Sequence, residues 1–397
     1  MKRLLLASAA TLAAGAAIAQ DGANEIKMGV ILGFTGPIES LTPAMATGAE
    51  MAMAEVTEAG TLLEGMTVTP VRADSTCVDS AAATAAAERL ITAEGVKGIM
   101  GADCSGVTGA VLANVAVPNG MVMISPSATS PALTSAEDNG LFFRTAPSNA
   151  RQGEVMANIL MERGIEEVAL TYTNNDYGKG LADAFASSYE EKGGTITINA
   201  AHEDGKADYT AEVGALASAG GEALVVLGYV DQGGAGVIQA ALDTGAFDMF
   251  AFGDGMIGDA LTDSFGDGIE GSVGTAPGSD NEGGAMFAEM ASEAGIDGTS
   301  VYAGESYDAA SLMLLAMQAA GSHEPGDYAA HIFDVANAPG EPILPGELGK
   351  ALEILADGGE IDFQGATGVE LVEPGEAAGS YAEYVIEDGA LSVVGYR

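Results

Sequence analysis

Short apolar runs alternate with longer stretches of helical periodicity along this chain. Residues 25–34 (EIKMGVILGF), 66–73, 96–100 and 121–125 read as strands. Between them, residues 43–59, 78–93 and 107–117 place small and apolar residues at helical spacing. Strands of this kind, separated by helices, belong to a parallel sheet covered on both faces. The pattern then starts again. Residues 150–163 read as a helix, 167–172 as a strand, 177–191 as a helix, 195–201 as a strand and 209–219 as a helix. Residues 223–227 (strand), 233–244 (helix) and 249–253 (strand) complete the second run. Two α/β runs predict two α/β lobes, each a doubly wound parallel sheet. Helices are expected over 286–294, 302–321, 327–336 and 347–356, and a closing hairpin over 381–396 that turns at Asp388-Gly389. The joins between lobes are short, near Thr145-Ala146-Pro147 and Ala276-Pro277, which makes a hinge rather than a tether.

Residues 1–20 break this pattern. Lys2 and Arg3 precede an almost unbroken apolar run over 4–18, and Ala17 and Ala19 put small residues where a signal peptidase reads. The run of about 15 residues is shorter than the ~20 that span a bilayer. Residues 1–19 are therefore expected to be a cleaved signal peptide, with the cut before Gln20. The start has no paired arginines, and no cysteine at the cut could carry a lipid. The expected product is free protein in a periplasm.

Charge narrows the partners. The chain has 14 basic and 57 acidic residues, for a net charge of −43. Such a chain repels nucleic acid and anionic lipid. Only two cysteines occur, Cys77 and Cys104, and in an oxidising compartment an even count predicts one disulfide. The three histidines have no metal-ligand spacing and no nucleophile elbow is present, so no enzyme, metal or cofactor is expected.

Binding groups fall instead at the strand ends, where open α/β sheets bind ligands. Ser105 follows Cys104 at the start of a predicted helix, as a carboxylate seat or simply as an N-cap. The loop Ser125-Pro126-Ser127-Ala128-Thr129-Ser130-Pro131 offers hydroxyls and carbonyls, Thr129 among them as a carboxylate donor. Tyr177 and Tyr229 sit at two strand ends of the second lobe and can wall off an apolar side chain. Asp254, between Gly253 and Gly255, is an acid that an ammonium group can approach.

Taken in order, Cys77, Cys104-Ser105, the run from Met123 to Leu133, Asp176 to Leu181 and Gly253-Asp254-Gly255 resemble the periplasmic branched-chain amino acid (leucine/isoleucine/valine) binding proteins of ABC importers. The likeness runs from about residue 25 to the end. It implies the type I periplasmic binding fold, with a three-stranded hinge joining lobe 1 (24–145 and 277–375) to lobe 2 (146–276 and 376–397). It also implies a ligand site in which Ser105, Ser127, Ala128 and Thr129 hold the α-carboxylate and α-amine and Asp254 takes the amine. Tyr177, Tyr229 and Tyr302 would close over the ligand. Two positions depart from the prototype: Leu41 stands where it has a large aromatic, and Asp254 is one methylene shorter than its glutamate. The implied partners are an amino acid and a membrane permease, with the binding protein a monomer. The same family fold also serves amides, urea and aromatic or short-chain acids, and a ligand-sensing partner of a membrane receptor is a further role.

Overall fold

The computed structural model describes residues 24–397, and the signal-peptide segment with its expected cut lies outside them. Among the described residues no helix is long and apolar enough to cross a membrane. Among the described residues sixteen strands build three sheets. In chain order they are β1 (Glu25–Leu32), β2 (Thr67–Asp74), β3 (Ile99–Gly101), β4 (Met123–Ser125), β5 (Phe142–Arg144), β6 (Glu167–Thr173), β7 (Thr195–His202) and β8 (Ala223–Leu227). There follow β9 (Phe250–Phe252), β10 (Val273–Pro277), β11 (Glu341–Ile343), β12 (Ile361–Phe363), β13 (Leu371–Val372), β14 (Glu376–Ala377), β15 (Tyr381–Glu387) and β16 (Ala390–Tyr396).

The first large sheet has the order β2-β1-β3-β4-β5-β14-β13, and the second β7-β6-β8-β9-β10-β15-β16. In each, the first five strands are parallel. The two lobes thus share one winding, the doubly wound order 2-1-3-4-5. The strands are apolar because helices cover both faces. β8 is buried at every residue, and so are the last five residues of β1. A small sheet of β11 and β12 stands apart.

The chain passes between the large sheets three times. It leaves β5 for helix Asn149–Glu162, leaves β10 for helix Glu282–Glu293, and runs from β14 directly into β15. Strand pairing places Pro277 in the second sheet and Glu376–Ala377 in the first. These lie one and two residues from the divisions expected from sequence.

Six strands were not expected: the short β11, β12, β13 and β14, and, within the two main parallel runs, β5 and β10. β5 has three residues and ends in Arg144, and β10 reads Val-Gly-Thr-Ala-Pro, so neither shows a strand period. Their neighbours β4 and β9 supply the hydrogen bonds that make them strands. Elsewhere the element boundaries move by one to four residues, as helix and strand ends commonly do.

Candidate functional site

In a sheet of this winding the order reverses between the first and third strands, and a crevice opens beyond their carboxyl ends. In the first lobe β3 leads through Asp103 and Cys104 into helix Ser105–Val111. A disulfide joins Cys104 to Cys77, with Cα atoms 5.1 Å apart, and so ties the loop after β2 to the loop after β3. Asp103 is buried between them. Its carboxylate accepts from the Gly33 N–H (2.6 Å) and the Ser75 hydroxyl (2.8 Å). Burial pushes its pKa up, against the pull of these donors.

The loop after β4 lies against this corner. The Ser127 hydroxyl donates to the Asp103 carbonyl (3.0 Å), and the Ser130 N–H donates to Ser105 Oγ (3.1 Å). Ser105 is therefore not an N-cap: Cys104 occupies that position, and Ser105 is the first helical residue. Arg144, at the end of β5, holds the loop from behind. Its guanidinium donates to the carbonyls of Ala128 (3.1 Å) and Ser130 (2.9 Å) and pairs with Glu376. The Thr129 carbonyl accepts from the Asn149 N–H (2.8 Å). Three loop carbonyls are thus each engaged by a donor from outside the loop. The Thr129 hydroxyl is buried with no partner among the described residues.

The second lobe brings rings and one acid. β6 ends before helix Asp176–Glu191, which Asn175 caps by accepting from the Gly178 N–H (3.0 Å). Tyr177 stacks on Tyr229, with ring centroids 5.2 Å apart. Asn175 also donates to the Tyr229 hydroxyl (3.3 Å), so one side chain caps the helix and sets the ring. Asn175→Ala removes both bonds and is expected to cost ~1 kcal/mol of stability, read as a lower denaturant midpoint with unchanged slope.

Asp254 follows β9 and is completely buried. One oxygen accepts from the Tyr177 hydroxyl (2.5 Å) and the other from the Tyr302 hydroxyl. The Gly255 N–H in turn donates to the Tyr177 oxygen (3.0 Å). Tyr177 belongs to the second lobe. Tyr302 precedes helix Ala303–Ala320, which packs on helix Thr42–Ala59 of the first. The acid is therefore gripped from both sides of the cleft. Burial pushes its pKa up while the two hydroxyls pull it down. Desolvation and the Asp254 charge keep both phenols protonated, well above their ordinary range.

The lobes meet at the rim. The Ser40 N–H donates to the Asp231 carboxylate (2.8 Å), and the Asp231 N–H to the Pro37 carbonyl (3.2 Å). A Cβ on Gly180 would stand 2.8 Å from Pro131 of the facing loop, so glycine permits this close approach. These contacts describe a closed cleft.

Of the residues singled out from sequence, Leu41, Ser105, Ser127, Tyr177, Tyr229 and Tyr302 line one small cavity between the lobes. Ala128, Thr129 and Asp254 do not form its wall; Asp254 sits directly behind two of the tyrosines that do. Leu41 reaches towards Gly258 of the second lobe, where an added Cβ would meet its side chain at 3.0 Å. Sequence reasoning missed Ile38, Asp103 and Gly255 in the wall, and Arg144 behind it. Asp103 had a usable signal, since it adjoins Cys104; Arg144 had none. The cavity's water-accessible volume is about 20 Å³, little more than one water needs. Among the described residues no cluster of three or more His, Cys, Asp or Glu is placed to hold a metal.

Comparison with known proteins identifies the family and the fold. The family described as "Periplasmic binding protein" matches residues 25–336. This chain belongs to the periplasmic binding protein family. It is 29% identical over 373 residues to Leu/Ile/Val-binding protein homolog 1 of Brucella melitensis biotype 1, covering 90% of this chain and 98% of the relative. A match to homolog 3 of the same organism reaches 33% over 232 residues, but spans only 62% of that protein and 58% of this one. Among solved structures, a leucine-binding protein of Thermotoga maritima superposes with a TM-score of 0.78 at 23% identity, covering 94% of this chain and 98% of the other. A solute-binding protein of R. palustris in complex with 4-hydroxybenzoate gives 0.74 at 19% identity, covering 94% and 97%. Likeness at these identities fixes the fold: the type I periplasmic binding architecture.

Proposed function

We propose that this protein is the extracytoplasmic solute-binding component of an ABC importer and captures an α-amino acid with a small aliphatic side chain between its lobes. The observation that carries this reading is Asp254, a fully buried carboxylate held by a tyrosine from each lobe beside the cavity. A buried carboxylate without a cation is costly, and a ligand ammonium offsets that cost. Ser105, Ser127 and the helix start beyond Cys104 would receive the ligand carboxylate, with the Thr129 hydroxyl as a further donor. Leu41, Ile38 and the stacked tyrosines would enclose the side chain.

Contacts at the rim shut the cleft, so entry requires the lobes to part about the three crossings. Closing over the ligand would exclude water from the ammonium–carboxylate pair and so strengthen it. The ligand favours the closed form by its extra contacts there, a population shift. That form would then dock on an inner-membrane permease. The relatives named for Leu/Ile/Val binding support the ligand class. We further infer a periplasmic protein cleaved before Gln20, monomeric, without catalysis and without nucleic-acid partners; the net charge of −43 supports the last point.

A second reading, an aromatic or short-chain carboxylic acid, rests on the three tyrosines and on the 4-hydroxybenzoate complex of the same fold. Asp254 weighs against it, because a monoanion has no cation to offer this acid. A thermal-shift panel of amino acids, amides and carboxylates separates the two. A true ligand at about 100-fold over its dissociation constant stabilises by ~2.7 kcal/mol. Branched-chain amino acids are expected to raise the melting temperature, and benzoates and short-chain acids to leave it unchanged.

A further inference from the structure

The cleft is not the only space that touches both lobes among the described residues. Behind the crossings lies a cavity of about 320 Å³, against about 20 Å³ for the cleft on the same measure. Its walls come from the second crossing (Gly278, Ser279), from helix Glu282–Glu293 (Phe287), and from the start of helix Ala303–Ala320 (Glu305). The closing hairpin adds Tyr384 and Val393 from the other lobe. The size falls within the range of small-molecule sites.

One acid in it has no partner. Glu305 is 5% exposed, and it forms no ion pair and takes no side-chain donor among the described residues; only its own N–H reaches the carboxyl. Other buried acids here are satisfied. Asp254 has two tyrosines, and Asp308 accepts from the Ala366 and Thr367 N–H groups (2.7 and 2.9 Å) and the Thr367 hydroxyl. Of the polar wall groups, Asn281 and Ser279 already bond to each other, to Gly284 and to the Thr367 carbonyl, so they do not compete for Glu305.

We propose that this cavity is a second ligand site, for a small organic cation with a short apolar tail. The cation would pair with Glu305, and the tail would lie against Phe287, Val301 and Val393. The occupant touches both lobes, so it would fit one hinge angle. It is also one residue from the cleft: Tyr302 lines both cavities and donates to Asp254. Occupancy behind the hinge and closure of the cleft are therefore coupled through Tyr302 and the start of its helix.

The charge state of Glu305 supplies a readout. Burial, with Asp308 one turn on as a lesser cause, pushes it up to about 8. The other titratable groups around it are Tyr302 just before its helix, Asp280 on the crossing and Tyr384 and Tyr396 on the hairpin; the Glu305 charge also acts on Tyr381, and Asp297 acts with it on Tyr384. Below about pH 8 the carboxyl is neutral and an incoming ammonium must displace its proton. Binding should thus weaken by ~tenfold or more from pH 8.5 to pH 6.5.

The test is isothermal titration of n-butylammonium chloride into the mature protein at ~0.15 M salt, which screens loose association with the acidic surface. The expected result is a single saturable site that weakens at least tenfold in Glu305→Gln and in Ala285→Phe, which adds bulk to the cavity wall. Binding is expected to persist in Asp254→Asn, which separates this site from the cleft. n-Butanol should bind far more weakly than the ammonium. Equal affinity in Glu305→Gln, no saturation with wild type, or loss in Asp254→Asn with retention in Glu305→Gln each overturns the proposal. Should Ala285→Phe fail to fold, the Glu305→Gln comparison decides alone.

Discussion

Replacing Asp254 by alanine is expected to cost about 3–5 kcal/mol of amino-acid affinity, the usual range when one partner of a buried charge pair is removed. That is a loss of about 150- to 5,000-fold in dissociation constant, measured by calorimetry. The reason is local. Asp254 is completely buried, and the Tyr177 and Tyr302 hydroxyls hold its two oxygens in place. Removing the carboxylate leaves a ligand ammonium in a dry cleft with only the engaged loop carbonyls near it. Asp254→Asn keeps the shape and loses the charge, so most of the loss should appear there too. The fold should survive both changes, because burial raises the acid's pKa and no protein cation depends on it.

The sign of the pH dependence follows. Burial is the leading cause acting on Asp254, and it favours the neutral form. An ammonium ligand favours the ionised form. Affinity should therefore be full well above the acid's raised pKa and fall as pH drops through it. The corresponding stability term has the opposite sense. A carboxyl whose pKa rises on folding stabilises the fold when protonated, and this contribution is lost as pH climbs through the folded-state value. Ligand-free protein should thus lose this contribution over the same interval in which affinity is gained.

Removing the disulfide is expected to be the largest stability effect. Cys77 and Cys104 are 27 residues apart, and the chain-entropy model gives ~3.5 kcal/mol for closing such a loop. The double variant Cys77→Ser, Cys104→Ser should show an unfolding free energy lowered by about that amount, read from denaturant titration. It should also bind ligand more weakly, because Cys104 immediately precedes Ser105. Without the bridge, the corner of Gly33, Ser75 and Asp103 depends on hydrogen bonds alone. A variant with unchanged affinity would show that the bridge serves stability only.

Much of the architecture was legible in the sequence, because buried parallel strands read as apolar runs and surface helices read at their own period. The alternation over 25–253 is enough to infer two lobes. β5 and β10 were not legible, since three to five residues without a period become strands only through the neighbours that pair with them. The site divides in the same way. Ser105, Tyr177, Tyr229 and Asp254 follow strands directly, so the strand pattern alone puts them at the crevice. Their partnerships are another matter. Tyr302 meets Asp254 from 48 residues away, across the lobes. Arg144 reaches the carbonyls of Ala128 and Ser130 from a strand the sequence does not announce. Contacts of that kind depend on how strands pair and how the two lobes face each other in space, and local pattern carries no trace of that.

The most direct measurement compares isoleucine with 3-methylpentanoate, the same molecule lacking its amine, by calorimetry on the mature protein at neutral pH. If Asp254 receives the ammonium, isoleucine should bind at least ~100-fold more tightly than the deaminated acid. Equal binding of the two, or tighter binding of the acid, would contradict an amino-acid site built around Asp254.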